Sequence, residues 1–293
     1  MTLSPLPDDT RLGRVTLAVS DLDAVTGFYR DAVGLRVRHS DGDRAVLGTA
    51  ERDLLVLECD RETGPRPADA AGLFHTAFLF SDRGALGDAL ARVRDAGGDL
   101  TGASDHGVSE ALYLRDPEGN GVELYRDRPR AEWPESDGEV AMDTLPLDVD
   151  ALSADRAGDA DAAGDSAPDG TAVGHVHLEV TDVDAAESFY VDGLGFDVRQ
   201  RWEREALFVA AGGYHHHVGL NTWNGRSAPA SGRGLSAFEV VVPDANALDS
   251  VRESLADAGV EVADDADETG EDDGDAALRV RDPDGIGVRI VAE

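Results

Sequence analysis

Three of the eight histidines in this 293-residue chain are adjacent, His215, His216 and His217 in "GGYHHHVGLN". A neutral imidazole can bind a metal ion or accept a proton, because its reference pKa lies near neutral pH. The apolar residues around the run predict a strand, and a strand directs alternate side chains to opposite faces. We therefore expect either His216 alone, or His215 together with His217, to face the interior.

An internal repeat divides the chain into two halves. "VTLAVSDLDAVTGFYRDAVGLRV" (residues 15–37) matches "VHLEVTDVDAAESFYVDGLGFDV" (residues 176–198) at 11 of 23 positions, and "ALYLRDPEGNGVELY" matches "ALRVRDPDGIGVRIV" at 8 of 15. Between the halves the chain is rich in Asp, Ala, Gly and Ser, a composition typical of linkers without a core of their own. We predict domains at 11–128 and 172–293, joined by an acidic linker at 129–171.

Each half subdivides into two blocks of the same kind. The alternating "VTLAV" and "VHLEV" predict strands. "DLDAVTGFYRDAVG" and "DVDAAESFYVDGLG" begin with an Asp cap and end at Gly, as amphipathic helices do. Short apolar runs bounded by turn residues follow, and further blocks begin at "FHTAFLF" and "SAFEVVV". The pattern predicts an α+β protein of four βαβββ units.

Together with "FY…LGF" and "DPEGNGVELY", this arrangement resembles the vicinal oxygen chelate superfamily, which includes glyoxalase I, fosfomycin-resistance proteins and extradiol ring-cleaving dioxygenases such as bacterial catechol 2,3-dioxygenases. The resemblance covers nearly everything except the linker. It implies that paired βαβββ units curl into two open barrels with a metal inside a cavity. Because one fold supports many activities, the activity has to be argued from the site.

The resemblance places metal ligands on the first strand of each unit and on the last strand after the "DPxG" turn. The halves complement each other at these places. His75, Glu123 and His175 can bind a metal, whereas Arg14, Ala237 and Arg289 at the matching positions cannot. Two imidazoles and one carboxylate leave open positions on Fe(II) for a chelating substrate and O₂. This set requires the second and third units to share a cavity.

A rival arrangement pairs the units in chain order and completes the site with Glu58 in "LVLEC" instead of His175. His75 and Glu123 belong to both versions. We expect His177 to face opposite His175 on this strand, on the surface or the barrel exterior.

"DHGVSEALYLRDPEGNGVELY" is similar to the extradiol dioxygenase signature through His106, Tyr113, the "DPEG" turn and Glu123; Ser104 departs from it at one early position. The resemblance implies that His106 and Tyr113 donate hydrogen bonds to the substrate and to intermediates. A neutral histidine can accept the second proton of a catechol at neutral pH. By the same resemblance, the histidine triplet supplies this acid–base group, with His216 favoured slightly over His215 and His217.

These residues predict an Fe(II)-dependent extradiol dioxygenase, with Mn(II) as an alternative metal, that cleaves a catechol-like aromatic diol with O₂ during aromatic catabolism. A glyoxalase-type metal-dependent lyase or isomerase, which needs no O₂, is the second hypothesis. A third is a barrel that binds a small molecule without catalysis. The lack of ligands at Arg14, Ala237 and Arg289 favours this third hypothesis if the halves never share a cavity.

The charge of the chain is extreme. Sixty acidic and 26 basic residues give a net charge of −34, and the sequence contains no lysine. Such a chain repels nucleic acid and anionic membranes, and its acidity is typical of a surface solvated in high salt. A lone cysteine, Cys59, favours a reducing compartment, and we find neither a signal peptide nor a membrane span. We expect a protein of a high-salt cytoplasm, and assembly into a homo-oligomer is compatible with these features.

We predict that the folded state is more stable at high ionic strength, because counter-ions screen the repulsion among the carboxylates. The Debye length falls from about 10 Å at about 0.1 M salt to about 3 Å at about 1 M. Thermal melts followed by circular dichroism should show a transition temperature that rises with KCl. An unchanged or falling transition temperature over this range would contradict the prediction.

Overall fold

The computed structural model describes residues 5–136, 138–156, 166–264 and 277–293. The first half contains two βαβββ units in succession. Their elements are β1 (Arg11–Val19), α1 (Leu22–Phe28), β2 (Arg36–Ser40), β3 (Arg44–Gly48), β4 (Asp53–Cys59), β5 (Gly72–Phe80), α2 (Arg83–Asp95), β6 (Gly102–Asp105), β7 (Ser109–Arg115) and β8 (Gly121–Asp127).

The second half repeats this order. Its elements are β12 (Ala172–Glu179), α4 (Val183–Glu187), β13 (Asp197–Trp202), β14 (Ala206–Ala210), β15 (Val218–Asn221), β16 (Gly234–Val242), α5 (Ala245–Asp257), β17 (Ala263–Asp264), β18 (Ala277–Arg281) and β19 (Gly287–Ala292). The predicted α+β class and the four βαβββ units are confirmed. No helix within the described ranges is both long and apolar enough to cross a membrane.

In each unit the four strands lie in the order first, fourth, third, second. The first strand runs parallel to the fourth, as in β1 with β4, β5 with β8 and β16 with β19. The second, third and fourth strands of a unit pair with one another antiparallel, as in β7 with β8 and β18 with β19. This order places the first and last strands of a unit side by side at the centre, where both sets of predicted ligand positions lie.

The chain forms two compact units that do not coincide with the sequence halves. The N-terminal compact unit comprises Arg14–Gly64 and Leu73–Val176, and the C-terminal compact unit comprises residues 5–13, Pro65–Gly72 and His177–Glu293. The boundary therefore falls inside β12, between Val176 and His177. The domain limits expected from the repeat remain a prediction about where each repeat begins and ends.

The first helix of each half begins and ends where the sequence predicts. The Asp21 side chain accepts a hydrogen bond from the Ala24 N–H, and the Asp182 side chain accepts from the Ala185 N–H, as N-cap residues do. Both helices then widen into a π-helical turn, at Tyr29–Val33 and at Ser188–Gly193. Gly34 and Gly195 follow with φ of 89°, a left-handed conformation that glycine adopts without steric cost.

A buried tyrosine–aspartate contact explains why "FY" and "DP" recur together. In the second half, the Tyr190 hydroxyl donates to the Asp282 carboxylate at 3.1 Å, and that carboxylate also accepts from the backbone N–H groups of Asp284 and Ile286. Burial raises the pKa of Asp282 to about 6. In the first half, burial and the nearby Asp116 charge raise the pKa of Tyr29 well above its usual range. Each helix is thus tied to the turn before the last strand of its own half.

The segment between the repeats packs onto the first half. It contains a 3₁₀ turn (Arg130–Glu132), β9 (Glu135–Ser136), β10 (Glu139–Val140), β11 (Leu145–Pro146) and α3 (Val149–Ala154). Leu152 is buried, and its carbonyl oxygen lies so close to α2 that a Cβ added at Gly87 would be 2.8 Å from it. Composition predicts no core of its own here, and the described part instead uses the surface of its neighbour. The 157–165 portion of the predicted linker lies outside the described residues.

We predict that replacing Asp282 with Asn alters how stability depends on pH. A folded-state pKa of about 6 lies above the ordinary aspartate pKa of 3.8, so the carboxyl favours folding while protonated and loses this contribution as the pH rises through 6. Relative to D282N, the free energy of unfolding of the wild type should fall by up to about 3 kcal/mol between acidic and neutral pH. Urea titrations in high salt measure this difference.

The control for this experiment is D249N, at an exposed position on α5. Its free energy of unfolding should follow that of the wild type across the pH range. Parallel curves for the wild type and D282N would contradict a buried carboxyl that titrates near neutral pH.

Candidate functional site

Three predicted metal ligands lie together in the N-terminal compact unit. The ligand atoms of His75, Glu123 and His175 are all within 4.8 Å of one another, and all three residues are buried. One oxygen of Glu123, Oε2, lies 2.9 Å from His75 Nε2 and 3.1 Å from His175 Nε2. The structure thus brings His175, from the first strand of the third βαβββ unit, to two residues of the second unit.

Sheet register explains the approach of His75 to Glu123. In the parallel pair β5–β8, Ala77 lies opposite Glu123. His75 is two residues before Ala77, and residues two apart on a strand point to the same face. The small Ala77 side chain leaves room between the imidazole and the carboxylate.

Glu123 is held ionised by its neighbours. Burial alone would raise the pKa of this carboxyl, but the positive charge and hydrogen bonds available from His175 and His75 hold the pKa well below its usual range. A carboxylate that is charged at neutral pH and faces two imidazoles is a suitable ligand set for a divalent transition metal.

The rival ligand Glu58 does not join this group. It is exposed near the end of β4, and the cluster of ligand atoms found among the described residues does not include it. The structure therefore places Glu58 outside the group that His75, Glu123 and His175 form.

His106 and Tyr113 lie next to the three predicted ligands in the same compact unit, and we call this pair the second layer of the site. His106 Nε2 lies 2.7 Å from the Tyr113 hydroxyl, and the Tyr113 ring centroid lies 5.6 Å from that of His75. Tyr113 is opposite Glu123 in the β7–β8 register. Burial, followed by the negative charge of Glu123, raises the pKa of Tyr113 well above its usual range. The phenol thus stays protonated and able to donate a hydrogen bond.

Tyr125, a residue with no role predicted from the sequence, packs its ring 4.8 Å from that of His175. A Cβ added at Gly174 would lie only 1.7 Å from the Tyr125 hydroxyl oxygen, so glycine is required next to His175. Alternation along β8 could have indicated this residue, because it is two positions after Glu123 and shares its face. Its place in the site was visible only once β12 was known to lie near β8.

The histidine triplet lies in the C-terminal compact unit, and all three residues are buried. The residues precede β15 in a turn rather than forming part of the strand, so the alternation predicted for them is wrong. Gly212 and Gly213, both with positive φ, make the turn that ends the extended backbone before the triplet.

The three rings have different partners. His217 Nδ1 accepts from the Ala211 N–H at 3.2 Å, which ties this ring to the turn. His215 Nδ1 and His216 Nδ1 are 2.7 Å apart, so one of the two donates to the other. His216 thus has Nδ1 engaged by a neighbouring imidazole.

His177 is buried as well, in contrast to the exterior position expected for it. Its ring packs against Phe208 and the half-exposed Trp223, at centroid distances of 5.6 and 5.2 Å. The expectation was wrong because residues two apart on a strand point to the same face, so His177 shares the face of His175 on β12, and both side chains are buried.

The matching positions of the second half hold an ion pair. Arg289, which matches Glu123, donates from Nη1 to Glu239 at 2.7 Å, and these two residues are opposite each other in the β16–β19 register. Glu239 occupies the place that Ala77 has in the first half. Neither Arg289 nor Ala237 can bind a metal, as the sequence predicts, and Arg14 supplies no ligand on β1.

The chain was compared with known proteins. The model of the "Glyoxalase/Bleomycin resistance protein/Dioxygenase superfamily" matches residues 11–124 and 172–290. The chain is 39% identical to Catechol-2,3-dioxygenase of Bacillus subtilis (strain 168) over 288 residues, which cover 96% of both chains. It is 35% identical to Biphenyl-2,3-diol 1,2-dioxygenase 3 of Rhodococcus globerulus over 130 residues, 43% of this chain and 66% of that one.

The fold is also found among solved structures. Glyoxalase I from Zea mays superposes with a TM-score of 0.59 at 16% sequence identity, covering 97% of this chain and 92% of that chain. At this identity the likeness concerns the fold alone.

We predict that the chain binds one divalent metal ion through His75, Glu123 and His175. Removing one ligand should weaken binding by more than about 100-fold, since loss of an outer-shell partner alone costs about 10- to 100-fold. The variants are H75A, E123Q and H175A, titrated calorimetrically with Mn(II), and anaerobically with Fe(II), in high salt.

H39A serves as the control, because His39 is an exposed histidine far along the chain from all three ligands. It should bind the metal like the wild type. Equal affinity in E123Q and H39A would show that the metal binds elsewhere.

Proposed function

We propose that this chain, which belongs to the Glyoxalase/Bleomycin resistance protein/Dioxygenase superfamily, is an Fe(II)-dependent extradiol dioxygenase that opens a catechol-like ring with O₂. The observation that carries the proposal is the buried group of two imidazoles and one carboxylate, with Tyr113 and His106 adjoining it. The 39% identity to a catechol-2,3-dioxygenase over 96% of the chain supports a catechol-like substrate.

The residues present fit a ferrous ion. His75, His175 and Glu123 offer two imidazole nitrogen donors and one carboxylate oxygen donor, the set that leaves several coordination positions open. Bound there, Fe(II) would supply binding of both substrate oxygens and activation of O₂. Burial of the three ligands excludes bulk water and strengthens their electrostatic interactions.

Tyr113 and His106 would act on the substrate side of this group. The Tyr113 hydroxyl is directed between Glu123 and His106, so it can hydrogen-bond a substrate oxygen held near the carboxylate. His106 contacts the Tyr113 hydroxyl through Nε2 and can accept or return a proton at this nitrogen. Positioned donors of this kind typically contribute about 10²- to 10⁴-fold to a rate.

We assign acid–base catalysis to His216, with His215 and His217 as the alternatives within the triplet. His217 is engaged with the backbone of Ala211, and His215 is fully buried. The contact with His215 engages Nδ1 of His216, so proton exchange by this ring would run through Nε2. His215 then orients the ring of His216, as a hydrogen-bonded neighbour orients a catalytic histidine.

The proposed partners are a small aromatic diol and O₂, in the context of aromatic catabolism. We further propose that the enzyme works in a high-salt cytoplasm, on the evidence of its net charge of −34.

We predict ring cleavage after anaerobic reconstitution with Fe(II) in high salt. Addition of catechol and then O₂ should give a yellow ring-fission product with one O₂ consumed per product formed. E123Q should abolish turnover, and Y113F and H106Q should lower kcat by about 100-fold or more. Among the triplet, H216Q should lose more activity than H215Q or H217Q, and H39Q should be fully active.

Other outcomes identify the rival functions. Metal binding without O₂ uptake across a panel of catechols would overturn the proposal. Turnover of a glutathione hemithioacetal without O₂ would indicate a glyoxalase-type lyase. Tight binding of a catechol without turnover of either substrate would indicate a binding protein.

A further inference from the structure

The segment that joins the repeats is fixed directly beside His106. β11 pairs antiparallel with β6, with Leu145 opposite Asp105 and Pro146 opposite Ser104. Val140 and Met142 are buried, whereas Leu145 is 51% exposed. Residues 139–146, here called the strap, therefore form an edge of the sheet that carries the second layer of the site.

The strap contacts His106 through the main chain of Asp143. The Asp143 N–H donates to the His106 carbonyl at 3.3 Å, and the Asp143 carbonyl oxygen lies 2.6 Å from His106 Nδ1. A carbonyl oxygen only accepts hydrogen bonds, so Nδ1 must carry the proton in this contact. In a neutral imidazole the other nitrogen, Nε2, is then an acceptor.

This tautomer decides the direction of the next hydrogen bond. With Nε2 as acceptor, the 2.7 Å contact between His106 and Tyr113 is a donation from the phenol to the imidazole. In the opposite tautomer Nε2 would donate to the phenol oxygen, and the hydroxyl proton of Tyr113 would point elsewhere. The strap thus sets the direction of the hydrogen bond nearest to Glu123.

An ion pair fixes the backbone of the same turn. Arg128 Nη2 lies 2.5 Å from Asp105 Oδ2, and Asp105 Oδ1 accepts from the Gly107 N–H at 2.9 Å. The His106 N–H donates to the Ser109 carbonyl. These contacts hold the main chain of His106 but do not reach its ring, so they leave the choice of tautomer to Asp143.

We propose that the strap is a positioning element of the active site, in which the Asp143 carbonyl holds His106 as the Nδ1–H tautomer so that Nε2 accepts from Tyr113. Its consequence for catalysis rests on the proposed function, whereas the tautomer itself does not. No side chain of the strap makes this contact, so the sequence carries no signal for it.

The test is a long-range ¹H–¹⁵N spectrum of the ¹⁵N-histidine-labelled full chain, with and without diamagnetic Zn(II). The spectra are recorded at mildly alkaline pH, and H106Q identifies the resonances of His106. The wild type should show a protonated Nδ1 and an unprotonated Nε2 at this residue. A protonated Nε2 would overturn the proposal.

Releasing the strap should change this spectrum. In V140S/M142S the two buried anchors are lost, and His106 should shift toward the Nε2–H form. L145S alters an exposed side chain of the same strap and should keep the wild-type tautomer. If amide exchange shows residues 139–146 released while His106 stays Nδ1–H, the strap does not set the tautomer.

Kinetics connect the tautomer to turnover. V140S/M142S should lose about 10-fold or more in kcat with little change in KM, since a donor acts in the transition state, and L145S should keep both values. Should the double variant fail to fold by circular dichroism, the wild-type spectrum still decides the tautomer. An Nδ1–H signal without ring cleavage would refute the proposed function alone, and ring cleavage with an Nε2–H signal would refute the strap alone.

Discussion

The buried carboxylate of Glu123 is the constraint around which the N-terminal compact unit is arranged. An isolated charge in this position would be costly, because burial removes its hydration. The two imidazoles of His75 and His175 offset that cost and hold the pKa of Glu123 below its usual range. The parallel register of β5 with β8 and the approach of the first residues of β12 are needed to bring them within hydrogen-bond distance. The same three side chains suit a divalent metal. The imidazoles that stabilise the buried carboxylate are therefore also the groups that would bind the metal with it.

The second half has the same scaffold, but its matching positions do not hold a carboxylate between two imidazoles. Its β16–β19 register equals that of β5 with β8, but an arginine and a glutamate form an ion pair where alanine and glutamate stand in the first half. Both halves keep the tyrosine of the helix beside the aspartate of the "DP" turn. The repeat has thus preserved the contacts that define the fold while the ligand chemistry is confined to one set of positions. The two halves are therefore alike in the contacts that define the fold and different in the residues at the ligand positions.

The groups around the predicted ligands depend on parts of the chain whose residue types give no sign of a functional role. The strap has the composition of a linker, but its main chain binds His106 on both the carbonyl and the ring. Gly174 matters because a side chain there would collide with the Tyr125 hydroxyl, which lies next to His175. In both cases a backbone group or an absent side chain makes the contribution. Such features leave little trace in residue type.

The sequence alone determined the four βαβββ units, the caps of their helices, and the identity of His75, Glu123, His175, His106 and Tyr113 as the chemically interesting residues. It could do so because hydrophobic periodicity, capping residues and turn residues act over short distances along the chain. Tertiary structure decided that His175 rather than Glu58 lies beside His75 and Glu123, and that His215, His216 and His217 lie in a turn. Which strand lies beside which, and where a strand gives way to a turn, depend on packing between residues far apart in sequence, and no local pattern encodes it. The tautomer assigned to His106 belongs to the same class, because it follows from a backbone carbonyl 37 residues away.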